Sequence, residues 1–137
     1  MPAETTQGDV AKLLRGAGLR PTRQRVALAH LLFASGDRHV TAETLHEEAL
    51  ARKVPVSLAT VYNTLHQFTE VGLLRMIVVD PGRAYFDTNT TPHHHFFYEK
   101  SGKVEDIPED DLIIAKMAVP SCGSPVRSVD VVVRIAQ

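Results

Sequence analysis

Cysteine is nearly missing from this chain: of 137 residues only Cys122 carries a thiol, so no intrachain disulfide can form and no CxxC zinc clasp exists. Any metal bound here must be held by histidine and carboxylate. Long apolar runs are missing too. With no stretch of about 18 apolar residues and no basic-then-apolar leader, neither a membrane span nor a secretory signal is expected, which points to a cytoplasmic protein without membrane partners. A dominant charge of one sign is also lacking, and the net charge of −1 argues against a nonspecific nucleic-acid coat. No P-loop, G-x-S-x-G or HExxH spacing occurs, and Cys122 has no base partner in its sequence context, so binding fits better than turnover. The length suffices for one ample core or two small ones, and a hydrophobic content of 44% is ordinary for a globular chain.

What is present is unevenly spread. Residues 1–75 hold nine Lys and Arg against seven Asp and Glu, whereas residues 76–137 hold six against nine, which makes the front +2 and the back −3. Lys12, Arg15, Arg20, Arg23 and Arg25 crowd one short segment able to hold phosphates. The most informative stretch is Ser57 to Gly72, SLATVYNTLHQFTEVG. At about 100° per residue, Leu58, Val61, Leu65 and Phe68 gather on one side of a helix while Ala59, Thr60, Asn63 and Gln67 look the other way. That free face carries small hydrogen-bonding groups and no charge. Asn and Gln can bind adenine bidentately, and Thr or Ala can touch a thymine methyl. Ser57 suits an N-cap and Gly72 a C-terminal stop.

Taken in order, the chain predicts a few mobile leading residues and a helix over Asp9–Ala17, with Val10, Leu13 and Leu14 inward. Pro21 sets Arg20 on an extended arm, and Thr22 caps a helix over Arg23–Ala34 with Val26, Leu28, Leu31, Leu32 and Phe33 in the core. Ser35–His39 reads as a turn, and a third helix runs from Thr41 to Ala51 on Leu45, Ala49 and Leu50. After the fourth helix, Leu74–Val79 and Ala84–Asp87 flank the turn Asp80-Pro81-Gly82-Arg83, which makes a winged helix with Arg83 at the wing tip. Asn89–Pro92 breaks the chain, giving an α+β protein with domains 1–88 and 89–137. The second domain predicts strands over His95–Glu99 and Lys103–Ile107, a helix over Pro108–Val119, and a last strand through VRSVDVVVRI. Its exposed edge is expected to pair with a second copy, as a homodimer.

His93, His94 and His95 stand at the entry to a strand. Alternate residues of an extended chain share a side, so His93 and His95 form a two-imidazole chelate for a transition metal while His94 points away. Asp87 lies just upstream, and Glu105 and Asp106 lie on a neighbouring strand. The triplet is a candidate for metal or haem ligation.

GLRPTRQRVAL, HVTAETLHEEA and VSLATVYNTLHQFTEVGLLR, followed by the histidine cluster and GKV, resemble the ferric uptake regulator (Fur) superfamily over almost the whole chain. The resemblance implies a winged-helix DNA-binding domain, an α/β dimerisation domain, a regulatory metal, and dimers on AT-rich inverted repeats in double-stranded DNA. It implies that Tyr62 contacts bases and that Arg20 enters the minor groove; Thr22, Arg25, Ser57, Ala59, Thr60, Asn63, Gln67 and Arg83 complete the expected DNA-binding set. It implies a site for Fe2+ or Mn2+ at His39, Asp87, His93, His95 and Asp106, a set of three His and two Asp similar to the peroxide-sensing branch. Where most members carry the first zinc CxxC pair, this chain has Tyr98 and Ser101, and the second pair is absent, so no structural zinc is expected. The extra histidine site of many members is replaced by Val129 and Asp130. Missing cysteines together with the HHH run look like the iron response regulator of rhizobia and their relatives, which implies a haem response through His93, His94 and His95. The expected function is a transcriptional regulator of iron or haem homeostasis, with a manganese- or peroxide-responsive repressor as the alternative. A small metal buffer or nonheme iron enzyme that binds no DNA is the alternative from another class.

Overall fold

The computed structural model describes residues 6–137 of the chain. The mobile leader expected at the start falls largely on residues 1–5, outside the described part, and Gln7 and Gly8 already belong to the first helix. The chain divides into two compact units, one ending at Thr90 and the other spanning Thr91–Gln137.

The first unit begins with four helices, α1 (Gln7–Gly16), α2 (Arg23–Phe33), α3 (Ala42–Ala51) and α4 (Leu58–Glu70). Each starts on a hydroxyl that accepts a backbone N–H from the first turn: Thr6, Thr22, Thr41 and Ser57. At α1 the cap is reciprocal, and the Thr6 amide and hydroxyl hold the Asp9 carboxyl below its ordinary value of 3.8. The helices close on a core from which Leu14, Leu28, Leu32, Leu45, Leu65 and Phe68 are fully excluded from solvent. Phe33 of α2 meets Phe68 of α4 with ring centroids 6.5 Å apart. Three residues expected inside are on the surface instead: Leu13 is 36% exposed, Leu50 53% and Leu58 40%. Each sits at the edge of its helix's apolar stripe, and the neighbouring helix covers only the centre of that stripe. On α4 the fourth inward position is taken by Thr64, which is 5% exposed.

Behind the helices lies a three-stranded antiparallel sheet in the order β1 (His39–Val40), β3 (Arg83–Asp87), β2 (Arg75–Asp80). Strand β1 corrects the expected turn over Ser35–His39, whose last residue instead pairs with Asp87. Ladder hydrogen bonds with β3 hold this two-residue strand, a long-range partner that local sequence does not display. The β2–β3 hairpin turns at Pro81 and Gly82, with Gly82 at φ 79°, the left-handed value that the third position of a type II turn requires. A bulge at Val79 shifts the register just before that turn. Arg83 opens β3 and lies 3.9 Å from the Asp80 carboxylate across the turn.

The second unit is a smaller sheet in the order β5 (Val104–Asp106), β4 (His95–Tyr98), β6 (Val132–Ile135), with β4 antiparallel to β5 and parallel to β6. Together the helices and sheets make an α+β fold. Two expectations fail here. The helix over Pro108–Val119 is replaced by one 3-10 turn, Glu109–Asp111, followed by irregular chain to the last strand. Its would-be apolar stripe has nothing to pack against, since Ile113 is 79% exposed and Val119 80%, and a short helix without tertiary packing does not hold. The last strand is also shorter than VRSVDVVVRI, because only Val132–Ile135 meets the four residues of β4. At the positions where a cysteine pair was looked for, the Tyr98 hydroxyl donates to Glu105 at 3.2 Å and the Ser101 hydroxyl accepts from the Lys103 amide, so these residues fasten the β4–β5 hairpin.

The exposures separate core from surface in a measurable way. Phe68→Ala is expected to lower unfolding free energy by about 3–5 kcal/mol, whereas Leu50→Ala should stay within about 0.5 kcal/mol; urea denaturation followed by circular dichroism checks both.

Candidate functional site

Among the described residues, two sets of His and Asp side chains come together, one in each unit, and each rests on an antiparallel cross-strand pair. In the first unit the β1–β3 register sets His39 directly opposite Asp87, and residues so paired have Cβ atoms about 5 Å apart. His39 Nε2 accordingly lies 3.1 Å from Asp87 Oδ2. Asp87 has no exposed surface at all, and its other oxygen accepts the Asn89 amide at 2.9 Å. A buried carboxylate needs such partners, because an uncompensated one costs several kcal/mol. His39 is held in place through its neighbour Arg38, whose guanidinium grips both Glu48 oxygens at 2.8 and 2.6 Å and the Leu31 carbonyl at 2.9 Å. The Arg38 amide donates to the Thr88 hydroxyl at 2.8 Å, which ties β1 to the end of β3.

In the second unit the β4–β5 register sets His95 opposite Asp106. His93, two residues earlier, shares that side, and the two rings lie 4.3 Å apart. Asp106 Oδ1 is 3.1 Å from His93 Nε2 and 3.3 Å from His95 Nε2. His93 Nδ1 meets the Thr91 carbonyl, which fixes a proton there and turns Nε2 toward the carboxylate. Two ring nitrogens and a carboxylate oxygen at these distances call for a proton or a cation among them. The donor types, imidazole and carboxylate without thiolate, suit Fe2+, Mn2+ and related divalent ions. These His and Asp side chains could hold a metal.

His94 behaves differently from its neighbours. Its Nδ1 accepts the Val131 amide at 3.1 Å, so in the neutral ring Nε2 carries the proton and has no lone pair to offer. That bond stitches the start of β4 to the chain leading into β6. Of the three haem candidates, His93 and His95 therefore keep Nε2 toward Asp106, and His94 serves as a tether.

On α4 the sequence-derived faces are largely as expected. Val61, Leu65 and Phe68 are buried, Ala59, Tyr62 and Asn63 are exposed, and Thr60 is half-buried. Ser57 is the N-cap, and its hydroxyl also donates to Thr60 Oγ1 at 3.0 Å, so part of the hydroxyl capacity of both residues is used locally. Tyr62 is 50% exposed and braced by the His66 ring at 4.5 Å, which in turn meets Phe86 edge-on at 5.5 Å. Sequence reasoning left His66 without this role, although the i, i+4 spacing to Tyr62 was a usable signal. Gln67 is not an open group: its side-chain oxygen accepts from Arg25 Nε at 3.3 Å and from the same guanidinium's second nitrogen at 3.1 Å. Thr22 caps α2, accepting the Arg25 amide at 3.3 Å. Arg20 is exposed on the loop before that cap.

The family model for the ferric uptake regulator family matches residues 16–131. Over 94 residues the chain is 39% identical to the peroxide-responsive repressor PerR of Staphylococcus epidermidis, a match that covers 68% of this chain and 61% of that protein. It is 33% identical over 100 residues to the ferric uptake regulation protein of Bordetella parapertussis, covering 72% of each. Among solved structures, the ferric uptake regulator from Pseudomonas aeruginosa with manganese superposes with a TM-score of 0.72 at 26% identity, covering 93% of this chain and 97% of that one.

The two kinds of histidine can be told apart by titration calorimetry with Mn2+. His95→Ala and Asp106→Ala are expected to weaken binding by more than about 100-fold, beyond the loss usual for outer-sphere partners, whereas His94→Ala should change it by less than about tenfold.

Proposed function

This chain belongs to the ferric uptake regulator family, and from that premise we propose that it is a sequence-specific DNA-binding transcriptional regulator of iron or haem homeostasis acting in the cytoplasm. The observation that carries this reading is the exposed face of α4, where Ala59 and Asn63 stand on a helix that carries no Asp, Glu, Lys or Arg before its last residue, Glu70, while Arg20 and Arg25 line the recess beside Asn63. Such a face offers base-reading groups, and the cations offer phosphate contacts. In this reading α1–α4 and the β2–β3 hairpin act as a winged helix. Tyr62 and Asn63 read base edges, Arg20 and Arg83 meet the backbone or minor groove, and two copies joined through the second unit bind an AT-rich inverted repeat.

The regulatory ligand is a divalent cation, Fe2+ or Mn2+, for which the candidate donors are His39 and Asp87 of the first unit and His93, His95 and Asp106 of the second. Support comes from the like donor chemistry of the two His–Asp sets, imidazole and carboxylate in each. Occupancy would bias how the reading heads of a dimer are presented, and half-site spacing on DNA makes affinity sensitive to that presentation. Resemblance to the iron response regulator adds haem as a further ligand, for which His93 and His95 are the available nitrogens.

A second reading, a peroxide-responsive repressor, is favoured by a particular observation: relatives at 37–39% identity carry that name. In it, His39 and His93 would be among the donors for iron, which would supply peroxide-driven oxidation there, recognisable as a mass gain of one oxygen on either histidine.

Gel-shift titration on AT-rich palindromes tests these readings together. Chelator should abolish the complex and Mn2+ restore it. Asn63→Ala and Tyr62→Ala should each cost about 1–3 kcal/mol of operator discrimination. Haem that releases DNA while shifting its Soret band supports the iron and haem reading, and release by peroxide only with Fe2+ supports the second. A protein that binds DNA in none of these states would overturn both.

A further inference from the structure

Gln67 sits on the free face of α4 and has the amide that would suit bidentate adenine recognition, which needs its oxygen as acceptor and its nitrogen as donor. The oxygen is already taken. It accepts from two nitrogens of the Arg25 fork, at 3.3 Å from Nε and 3.1 Å from a terminal nitrogen. The remaining terminal nitrogen of that guanidinium donates to the Arg20 carbonyl at 2.9 Å, and the Thr22 amide donates to the same carbonyl at 2.9 Å. One planar side chain thus links three elements: the loop bearing Arg20, the first turn of α2, and the later part of α4. Lysine, with a single point charge, could not span them.

We infer that Gln67 and Arg25 are positioning residues for the Arg20 arm, fixing the backbone from which that side chain reaches DNA, and that neither reads bases itself. This rests on the DNA-reading assignment proposed above. The carbonyl of Arg20 is anchored by two donors while its side chain is exposed, beside a recess that Thr60, Asn63 and Gln67 also line. A held backbone with a projecting cation loses less conformational freedom on binding than a mobile arm. Asn63 takes no part in this network and keeps its amide open.

The anchor is tested first in the free protein, by hydrogen exchange of the amides over residues 19–25. Gln67→Ala should speed exchange there by about tenfold, as expected for losing a hydrogen bond to a charged group, while Gln67→Glu, which keeps an acceptor for Arg25, and Asn63→Ala should leave it as in wild type. Unchanged exchange in Gln67→Ala would overturn the anchor. The second measurement is binding to a library of randomised operators. The base positions at which Gln67→Ala loses preference should be those lost in Arg20→Ala, with the double variant no worse than either alone. Gln67→Glu should bind all sequences more weakly through its added negative charge while keeping the wild-type pattern. A position lost in Gln67→Ala but kept in Arg20→Ala, or a Gln67→Glu pattern like that of Gln67→Ala, would make Gln67 a direct reader and overturn the inference. If wild type binds no operator, the DNA-reading assignment fails, and the exchange result still separates that failure from failure of the anchor.

Discussion

Antiparallel register is the constraint on which the candidate metal centre depends. Two of the three His–Asp contacts are directly facing pairs, His39 with Asp87 and His95 with Asp106. Side chains alternate along a strand, so a slip of one residue in either ladder would send the imidazole and the carboxylate to opposite faces. The hairpin β4–β5 is fixed by its turn, where the Ser101 hydroxyl and the Tyr98 carbonyl take up the Lys103 and Gly102 amides. No such turn joins β1 to β3. There the register comes from Arg38, whose backbone amide meets Thr88 and whose guanidinium is clamped by Glu48. A half-buried ion pair of helix and loop thus sets the place of a strand only two residues long, and through it the place of a histidine.

Helix α4 carries a parallel constraint. Its buried side packs Val61, Leu65 and Phe68 with no exposure, so its rotation about its own axis is decided by the core. Everything on the opposite side inherits that rotation. Tyr62 is turned outward and then braced by His66, and Gln67 is turned toward Arg25, to which it commits its oxygen. Two residues of similar appearance in sequence, Asn63 and Gln67, so acquire different roles: one keeps an open amide and the other ties down a neighbouring loop.

The histidine triplet divides in the same manner. Alternation alone separates His93 and His95 from His94. What His94 does with its own ring depends on the chain leading into β6, 37 residues later, since Val131 supplies the N–H that its Nδ1 accepts. The failed helix over Pro108–Val119 teaches the converse. Its periodicity was real, but an apolar stripe forms a helix only where another surface covers it, and Ile113 and Val119 face solvent in this chain.

The sequence by itself determined the elements whose signals are local. Hydroxyl caps began the four helices, a Pro-Gly turn made a hairpin, the 3.6-residue period split α4 into two faces, and alternation paired His93 with His95. Only the tertiary structure decided which stripe edges were covered, so that Leu13, Leu50 and Leu58 came to the surface. It also decided that His39 lies in a strand and that His94 and Gln67 spend their hydrogen-bonding atoms within the fold. The physical reason is that caps, turns and periodicity act between residues a few positions apart, whereas burial, register and side-chain hydrogen bonding depend on partners that only folding brings near.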